Sequence, residues 1–315
     1  MDKVEKLPLV SVCLITYNHV RYIRQAIEGV LMQKVNFSWE FIIADDFSND
    51  GTRDILLEYK EQNREIINLI LQEKNKGPAG NWFDLISAPK GKYIAYFEGD
   101  DYWTNPFKLQ KQVDFLENNS DFSICFHNAK IIYEEEPNRV SFSNPIDQAE
   151  ISKFEDLAKG EFIYTATCLF RRNDLIKFPQ KYYSYLNNYT LDLHNAQFGD
   201  IKYINEVMTV YRKHKGGIWS MVAREKILVE HLPVYKFYEN YFDKKYKVYF
   251  RNHLREMTSE LVNIKLKNHD MKNFWACYFD FVFYNFQGIK DLRHMISIFL
   301  KAGKRNIYKL IRSND

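Results

Sequence analysis

The sequence predicts an α/β protein with a mostly parallel sheet flanked by helices, followed by an α-helical C-terminal region. Two observations carry this prediction. Short apolar runs alternate with segments whose apolar residues recur at helical spacing, which is the order expected of a parallel sheet. From about residue 222, glycine and proline almost vanish and the helical spacing continues alone. We therefore divide the chain into residues 1–221 and a helical region of residues 222–315.

The elements of the first part follow in order. Leu9 to Ile15 is a nearly continuous apolar run, which is typical of a strand buried on both faces. Three helices are expected in this part. The first begins near Tyr22, the second follows Asp50 as its N-cap, and the third begins at Pro106. Dense turn residues predict a loop at 75–82, and a polar stretch without periodicity predicts another at 134–150. The other predicted strands are residues 40–44, 66–71, 93–97, 122–126, 165–170, 201–204 and 207–211.

Composition restricts the function. Lys and Arg number 44 against 41 Asp and Glu, and the net charge of +3 gives no case for nucleic acid as a partner. The four cysteines form no CxxC pair, which favours reduced thiols and a cytoplasmic location. The charged N-terminus does not resemble a signal peptide, and no apolar run approaches the ~18 residues of a spanning helix. Membrane contact is expected to be peripheral, through a basic amphipathic helix at the C-terminus; an ordinary solvated helix is the alternative.

An acidic cluster, Glu98-Gly99-Asp100-Asp101, follows the predicted strand at 93–97. Crowded carboxylates repel one another, and a bound cation is the usual remedy. Polar residues also follow the first two strands, at Tyr17 and Asp46. Because the carboxyl ends of parallel strands meet at one edge of a sheet, we predict that these three clusters converge there. The alternative is that each cluster only ends a strand or caps a helix.

Three segments together resemble family 2 glycosyltransferases with the GT-A fold: Val10 to Asn18, Ile43 to Thr52, and Glu98 to Asp101. The resemblance covers roughly residues 7 to 220, so residues 1–221 are interpreted as the catalytic domain. Members of this family are mostly inverting enzymes that use a nucleotide-diphospho-sugar and a divalent cation. The resemblance therefore implies a UDP-sugar donor and Mn²⁺ or Mg²⁺ as cofactor.

The resemblance also implies roles for particular residues. Asp46 matches the carboxylate that reads the nucleobase, with Asp45 beside it. Glu98 and Gly99 stand where the family's DxD motif stands, with Glu in place of the first Asp. Asp100 is the first choice for a metal ligand, Asp101 the second, and His214 a third from a basic loop. The implied nucleotide-sugar pocket comprises Thr16, Tyr17, Asn18, Asp45, Asp46, Lys76, Asn81, Glu98 and Gly99.

The catalytic base is harder to assign. In this family it is an acid at the start of a helix after the mid-chain strand. Asp192 is the only acid between Leu186 and Gly199 and is our candidate. An alternative alignment puts Asn188 at that position, and an amide cannot act as a base. A helix-face carboxylate with no catalytic task is the remaining interpretation of Asp192.

We therefore predict a metal-dependent hexosyltransferase that moves a sugar from a UDP-sugar to a hydroxyl of a glycan or lipid-linked glycan. Its pathway would be the biosynthesis of cell-surface polysaccharide or glycoconjugate, at the inner face of the plasma membrane. One alternative is a non-catalytic glycan- or nucleotide-binding scaffold on the same fold. Another is a sugar-phosphate nucleotidyltransferase, which usually has a glycine-rich basic loop where this chain has Thr16 to His19.

Overall fold

The computed structural model describes residues 7–172, 187–217, 222–286, 291, 293 and 295–302. Internal contacts divide the chain into two compact units, residues 1–220 and 221–315. The functions assigned to the two predicted domains stay predictions.

The first unit is built on a ten-stranded sheet with the order β3-β2-β1-β4-β9-β6-β10-β5, from which β7 and β8 branch off as partners of β6 and β10. Strands β1 to β4 run parallel, whereas β9 is antiparallel to both of its neighbours. The strands are β1 (Val10–Thr16), β2 (Trp39–Asp45), β3 (Ile67–Leu71), β4 (Tyr93–Glu98), β5 (Tyr102–Trp103), β6 (Phe122–Tyr133), β7 (Val140–Phe142), β8 (Ile151–Ser152), β9 (Leu169–Arg171) and β10 (Asp200–Lys213). Among residues 7–172 and 187–217, the helices of this unit are α1 (Ile23–Leu31), α2 (Thr52–Gln62), α3 (Gly77–Ser87), α4 (Lys108–Asn118), α5 (Phe154–Lys159) and α6 (Asn188–Ala196).

Central strands of this sheet are buried on both faces. Six of the seven residues of β1 are buried, because neighbouring strands cover its edges and helices cover its faces. Its apolar side chains join one core cluster with those of β2, β4, α1 and α4. This architecture confirms the predicted α/β fold, and the four cysteines are free thiols, as predicted.

The predicted loop at 75–82 is wrong from its third residue onward. Helix α3 begins at Gly77 and carries Pro78 in its first turn. Proline at this position costs the helix no hydrogen bond, since the first amides of a helix have no partner within the helix. The side chain of Asn75 accepts a hydrogen bond from the amide of Gly77 at 3.0 Å and supports this start.

Three strand predictions also need correction. The strand predicted at 122–126 continues to Tyr133, and β7 pairs with its second half, so 134–150 is not one long loop. The two strands predicted at 201–204 and 207–211 are one strand, β10, with register shifts between Ile204 and Thr209. Residues 165–167 form a 3₁₀ turn, and only the residues that follow it are strand.

The second unit is helical. Its helices are α7 (Arg224–Tyr241), α8 (Lys247–Lys267) and α9 (Met271–Asn285), followed by helical residues 295–302. Two apolar clusters hold them together, one of them centred on Phe274 and Phe281. Within the described residues, the structure contains no helix with the length and apolar character needed to span a bilayer. The predicted basic C-terminal helix falls largely on residues 303–315, which lie outside the described residues.

Candidate active site

The ends of three neighbouring strands form one edge of the sheet. In the register of β1 with β2, Thr16 lies opposite Asp45; in its register with β4, Ile15 lies opposite Glu98. The amide of Gly99 donates to the carbonyl of Ile15 at 2.9 Å, so the two strand ends are hydrogen-bonded to each other. The three polar clusters of the sequence therefore meet at this edge.

The turns after β1 and β2 hold each other. The Asn18 amide donates to Ser48 Oγ at 2.8 Å, and Asn18 Oδ1 accepts from the Asn49 amide at 3.0 Å. Asn18 has a φ of 54° and Phe47 a φ of 65°, in the left-handed region that Asn tolerates better than most residues. Between these contacts Tyr17 keeps 45% of its surface exposed. Its ring is available to a ligand.

The two neighbouring aspartates after β2 have different surroundings. Asp45 is fully buried and accepts from the Ser48 amide at 3.0 Å and from Arg53 Nε at 2.5 Å, in addition to the Ser48 hydroxyl. Asp46 accepts from the backbone amide of Lys76 at 2.6 Å. Burial raises the pKa of Asp46, while hydrogen bonds from the amides of Lys76 and Gly77 oppose the rise. Asp45 thus holds the turn, and Asp46 lies beside the start of α3.

Lys76 and Asn81 differ in the same way. Lys76 is partly exposed, pairs with Asp84 at 2.6 Å, and lines a surface cavity of about 500 Å³ together with residues 71–74. Asn81 is fully buried; it donates to the carbonyl of Ala44 at 3.0 Å and accepts from Gln72 at 3.1 Å. The structure therefore places Lys76 at a surface and Asn81 beneath β2 as a support.

Gly99 permits a close approach at the acidic cluster. A Cβ atom on Gly99 would lie 2.9 Å from Thr16 Oγ1 and 3.0 Å from His19 Nδ1, too close for any other residue without a shift. Thr16 and His19 are themselves within 3.2 Å through these two atoms. The requirement for glycine explains why the acidic cluster is interrupted at its second position.

Asp100 lies between two histidines. Its Oδ2 is 3.1 Å from His214 Nε2 and 3.9 Å from His19 Nε2. Burial alone would raise the pKa of Asp100, but the hydrogen bond with His214 and the charge of His19 lower it below its ordinary value. His214 Nδ1 accepts from the Gly216 amide at 3.2 Å, so the neutral ring carries its proton on Nε2 and donates to Asp100.

Asp101 contacts β10. Its Oδ1 accepts from the Arg212 amide at 2.9 Å, and only 2% of Asp101 is exposed. Burial, and then the charges of Asp100 and Glu98, raise the pKa of Asp101. The pKa values of Asp100 and Asp101 are therefore shifted in opposite directions, and the two residues also differ in their partners.

Tyr22, a residue without an assigned role in the sequence analysis, joins this region to the loop after β6. Its ring lies 4.8 Å from the His214 ring and 4.5 Å from the Arg212 guanidinium. Its hydroxyl donates to Glu134 at 2.9 Å, and Lys215 pairs with Glu135 at 2.7 Å. His19 and Arg212 were also missed as contacts of the acidic cluster. Only their nearness in sequence to Asn18 and His214 could have suggested them.

A second group reaches the acidic cluster from α6. The amide nitrogen of Asn188 donates to Glu98 Oε1 at 3.0 Å and to Thr165 Oγ1 at 2.6 Å. Burial, and then the charge of Asp100, raise the pKa of Glu98 to about 7. Asp192 lies one turn further along α6, is 3% exposed, and has a pKa raised by burial and by Glu161. Asn188 thus contacts the acidic cluster, whereas Asp192 is buried one helical turn further along α6.

A divalent cation fits this edge only in part. Asp100 and His214 offer an oxygen and a nitrogen, but these atoms are hydrogen-bonded to each other. Among the described residues, no group of three or more His, Cys, Asp or Glu side chains is arranged to hold a metal ion. A cation here would need further ligands from a substrate, as Mg²⁺ sites built on one or two carboxylates and phosphates do.

Fold and site together define a class: an α/β protein whose polar groups gather at the carboxyl ends of parallel strands, where such folds bind nucleotides. The family model described as "Glycosyl transferase family 2" matches residues 11–178, more than half of the chain. The chain belongs to glycosyltransferase family 2.

Two relatives extend this comparison. The uncharacterized protein Rv1520 of Mycobacterium tuberculosis is 36% identical over 216 residues, which are 69% of this chain and 62% of Rv1520. This chain therefore matches less than two thirds of that relative's length. WfgD of Escherichia coli, named a UDP-Glc:alpha-D-GlcNAc-diphosphoundecaprenol beta-1,3-glucosyltransferase, is 33% identical over 124 residues, 39% of this chain and 47% of WfgD.

Two solved structures share the fold. TarS 1-349 of S. aureus, in complex with UDP-GlcNAc, superposes with a TM-score of 0.62 at 16% identity, over 97% of this chain and 92% of TarS 1-349. The mannosyltransferase PcManGT of Pyrobaculum calidifontis, in complex with GDP-Man and Mn²⁺, superposes with a TM-score of 0.53 at 12% identity, over 97% and 88%. These structures confirm the GT-A fold. The roles of the individual site residues stay predictions.

Proposed function

We propose that this protein transfers a sugar from a UDP-sugar to a hydroxyl of a glycan or lipid-linked glycan, with inversion, in the assembly of a cell-surface polysaccharide or glycoconjugate. The observation that carries the proposal is the meeting of Asp46, Asp100 and His214 at one edge of the sheet in a family 2 chain. The donor named for WfgD and the ligand of TarS support a UDP-sugar.

Donor recognition would use the turns after β1 and β2. The exposed ring of Tyr17 can stack on a base, and Asp46 can accept a hydrogen bond from the imide N–H of uracil. Asp45, Asn18 and Asn81 would hold these two residues in place through the contacts described above. Selectivity for uracil is then the consequence of an acceptor-only group at Asp46.

Departure of the nucleoside diphosphate requires positive charge. Asp100 and His214 would hold a Mn²⁺ or Mg²⁺ ion, which stabilises the charge that develops on the leaving diphosphate. To bind the metal through Nε2, His214 must give up its hydrogen bond with Asp100. The proton of the neutral ring then lies on Nδ1, which must give up its contact with the Gly216 amide and donate to another acceptor. Asp101 would act through Arg212, whose backbone it holds.

Inversion follows from attack on the face opposite the leaving group, and this attack needs a base. Asp192 is the proposed base because it is the acid nearest to Asn188 on α6. Burial raises its pKa and favours the protonated form, so the acceptor must open the site or the base must ionise on binding.

The test is an assay of the full chain against a panel of UDP-sugars with Mn²⁺ or Mg²⁺, followed by NMR of the anomeric proton. We expect transfer or slow donor hydrolysis, with inverted product, and loss of both in Asp100→Ala. Absence of turnover with every donor, together with UDP binding that Asp100→Ala leaves unchanged, would overturn the proposal.

One observation favours a second candidate, a non-catalytic nucleotide-binding scaffold. The α6 side chain that touches the acidic cluster is an amide, Asn188, which accepts no proton. Calorimetry separates the two: metal-dependent UDP binding without turnover, unaffected by Asp192→Ala, would favour the scaffold.

A further inference from the structure

Helix α9 has exposed phenylalanines as well as buried ones. Phe274 and Phe281 are buried, whereas Phe279 is 70% exposed, Phe283 66% and Phe286 53%. The exposed three are spaced by four and three residues, so they lie along one side of the helix. Single exposed apolar residues are common, but a row of three phenyl rings is a surface that calls for a partner.

The last described helical residues extend this surface. Met295, Ile298 and Ala302 face the core, while Ile296, Phe299 and Leu300 are about half exposed. The ring of Phe299 lies 5.3 Å from that of Trp275, one turn before Phe279 on α9. This ring contact connects the two helical segments, and we call their exposed apolar side chains the aromatic face: Phe279, Phe283, Phe286, Ile296, Phe299 and Leu300.

The charges around the aromatic face are mostly positive. Lys272, Arg293 and Lys301 are exposed, and Lys272 lies two turns before Phe279 on the same side of α9. The acids of α9 and its N-cap are already paired: Asp280 with Lys236 at 2.8 Å, and Asp270 with Lys265 at 2.7 Å.

We propose that the aromatic face docks on an anionic lipid bilayer. Phenyl rings enter the headgroup and acyl boundary, and flanking Lys and Arg attract anionic headgroups. A protein partner fits less well, because Lys is depleted at protein interfaces. The surface lies on the second unit, so this inference does not rest on the function proposed for the first.

Co-sedimentation of the full chain with phosphatidylcholine vesicles, with and without one third phosphatidylglycerol, tests the proposal. We expect binding to the anionic vesicles only, weakening as salt rises. Phe279→Ser/Phe283→Ser should reduce the partition coefficient at least tenfold, since two phenyl groups leave the lipid. Lys272→Ser/Arg293→Ser/Lys301→Ser should remove most of the dependence on phosphatidylglycerol.

The matched control is Phe142→Ser, which removes another exposed phenylalanine, 56%, from strand β7. It should bind vesicles as the wild type does. UDP binding and the thermal unfolding curve show whether the double variant is folded, and neither should change. Equal binding of wild type and double variant to vesicles would overturn the proposal. So would concentration-dependent self-association that the double variant loses while vesicle binding is absent, because a second copy of the chain would then be the occupant.

Discussion

Two regions of the first unit bury ionisable groups in different surroundings. At the strand-end edge, Asp45 has Ser48 and Arg53, and Asp100 has His214, which keeps its pKa below the ordinary value. Behind this edge, burial lowers the pKa of Lys108 from 10.5 to about 7, and burial raises that of Asp192. Asp100 is thus shifted toward its charged form, whereas Lys108 and Asp192 are shifted toward their neutral forms.

The difference lies in the supply of partners. Buried charge persists where donors or opposite charges replace water, and is neutralised where they are missing. Asp192 and Lys108 are both almost completely buried, and both act on the buried thiol of Cys168, whose pKa Asp192 raises and Lys108 lowers. The strand-end edge therefore offers partners to a charged ligand, whereas Asp192 must be ionised before it can act as a base.

The largest effect is expected from Asp100→Asn, which keeps the shape of the side chain and removes its charge. Without that charge the metal and the leaving diphosphate lose their anchor, and we expect kcat/KM to fall by about 10²–10³. Steady-state transfer at saturating Mn²⁺ measures the loss. Glu58→Gln, which neutralises an exposed carboxylate paired with Arg24, is the control and should leave activity intact. Equal rates in Asp100→Asn and wild type would show that this edge does not bear the charge of the reaction.

Asp192→Asn and Asn188→Asp together test the region behind the edge. If Asp192 is the base, Asp192→Asn lowers kcat by about 10²–10⁴. The reaction needs ionised Asp192, so the wild-type rate should fall as the pH drops through its raised pKa, well above the ordinary range of an aspartate. Asn188→Asp should not restore Asp192→Asn, because it places a carboxylate against Glu98. An unchanged kcat in Asp192→Asn would leave Asp192 a buried carboxylate without a catalytic task, whereas restoration of a lost activity by Asn188→Asp would show that a carboxylate at position 188 can serve as the base.

The burial of Lys108 can be tested through the pH dependence of the free energy of unfolding. Its ammonium lies 4.1 Å above the Trp103 ring and donates to Gln112 at 2.9 Å, with no surface exposed. Between about pH 7 and 10.5 the unfolded chain binds a proton that the folded chain has lost, so the free energy of unfolding should rise with pH by about 1.4 kcal/mol per unit.

Lys108→Met should remove that slope and raise the free energy of unfolding by about 2–4 kcal/mol at pH 7, with a smaller gain toward pH 10. Urea titrations at pH 7, 8 and 9 give the slopes. Lys111→Met, on the same helix but exposed and paired with Glu206, should keep the wild-type slope. A wild-type slope in Lys108→Met would mean that Lys108 stays charged in the core.

The same contrast explains how far the sequence could be interpreted. Continuous apolar runs located β1, β2 and β4 and the polar residues after them, because each strand is buried by its neighbours along its whole length. The apolar run predicts that β6 ends at Phe126, since His127, Asn128 and Lys130 interrupt the run, but the strand continues beyond it. Tertiary pairing with β10 and β7 supplies what the local pattern lacks.

The sequence could not assign the catalytic base, because the choice depends on which way each side chain points. Asn188 and Asp192 are one helical turn apart, and the sequence left both open for the position of the base. Only the helix start at Asn188, capped by Asn187 at 2.8 Å from the Thr190 amide, decides which of them reaches Glu98. Gly77 and Pro78 likewise suggest a turn as readily as a first helical turn.

The smallest expected effect sharpens the description of the charged edge itself. Tyr22→Phe removes the hydrogen bond to Glu134 but keeps the ring against His214 and Arg212. One such bond contributes about 1 kcal/mol, so the apparent affinity for Mn²⁺ should fall by about fivefold while kcat at saturating metal stays the same. Tyr133→Phe, which loses a hydroxyl contact with Ser141, controls for the loss of a tyrosine hydroxyl elsewhere and should leave the Mn²⁺ titration unchanged. A fall in kcat with unchanged metal affinity would instead mean that the loop after β6 acts on the acceptor side, and that the two regions are less separate than their pKa values indicate.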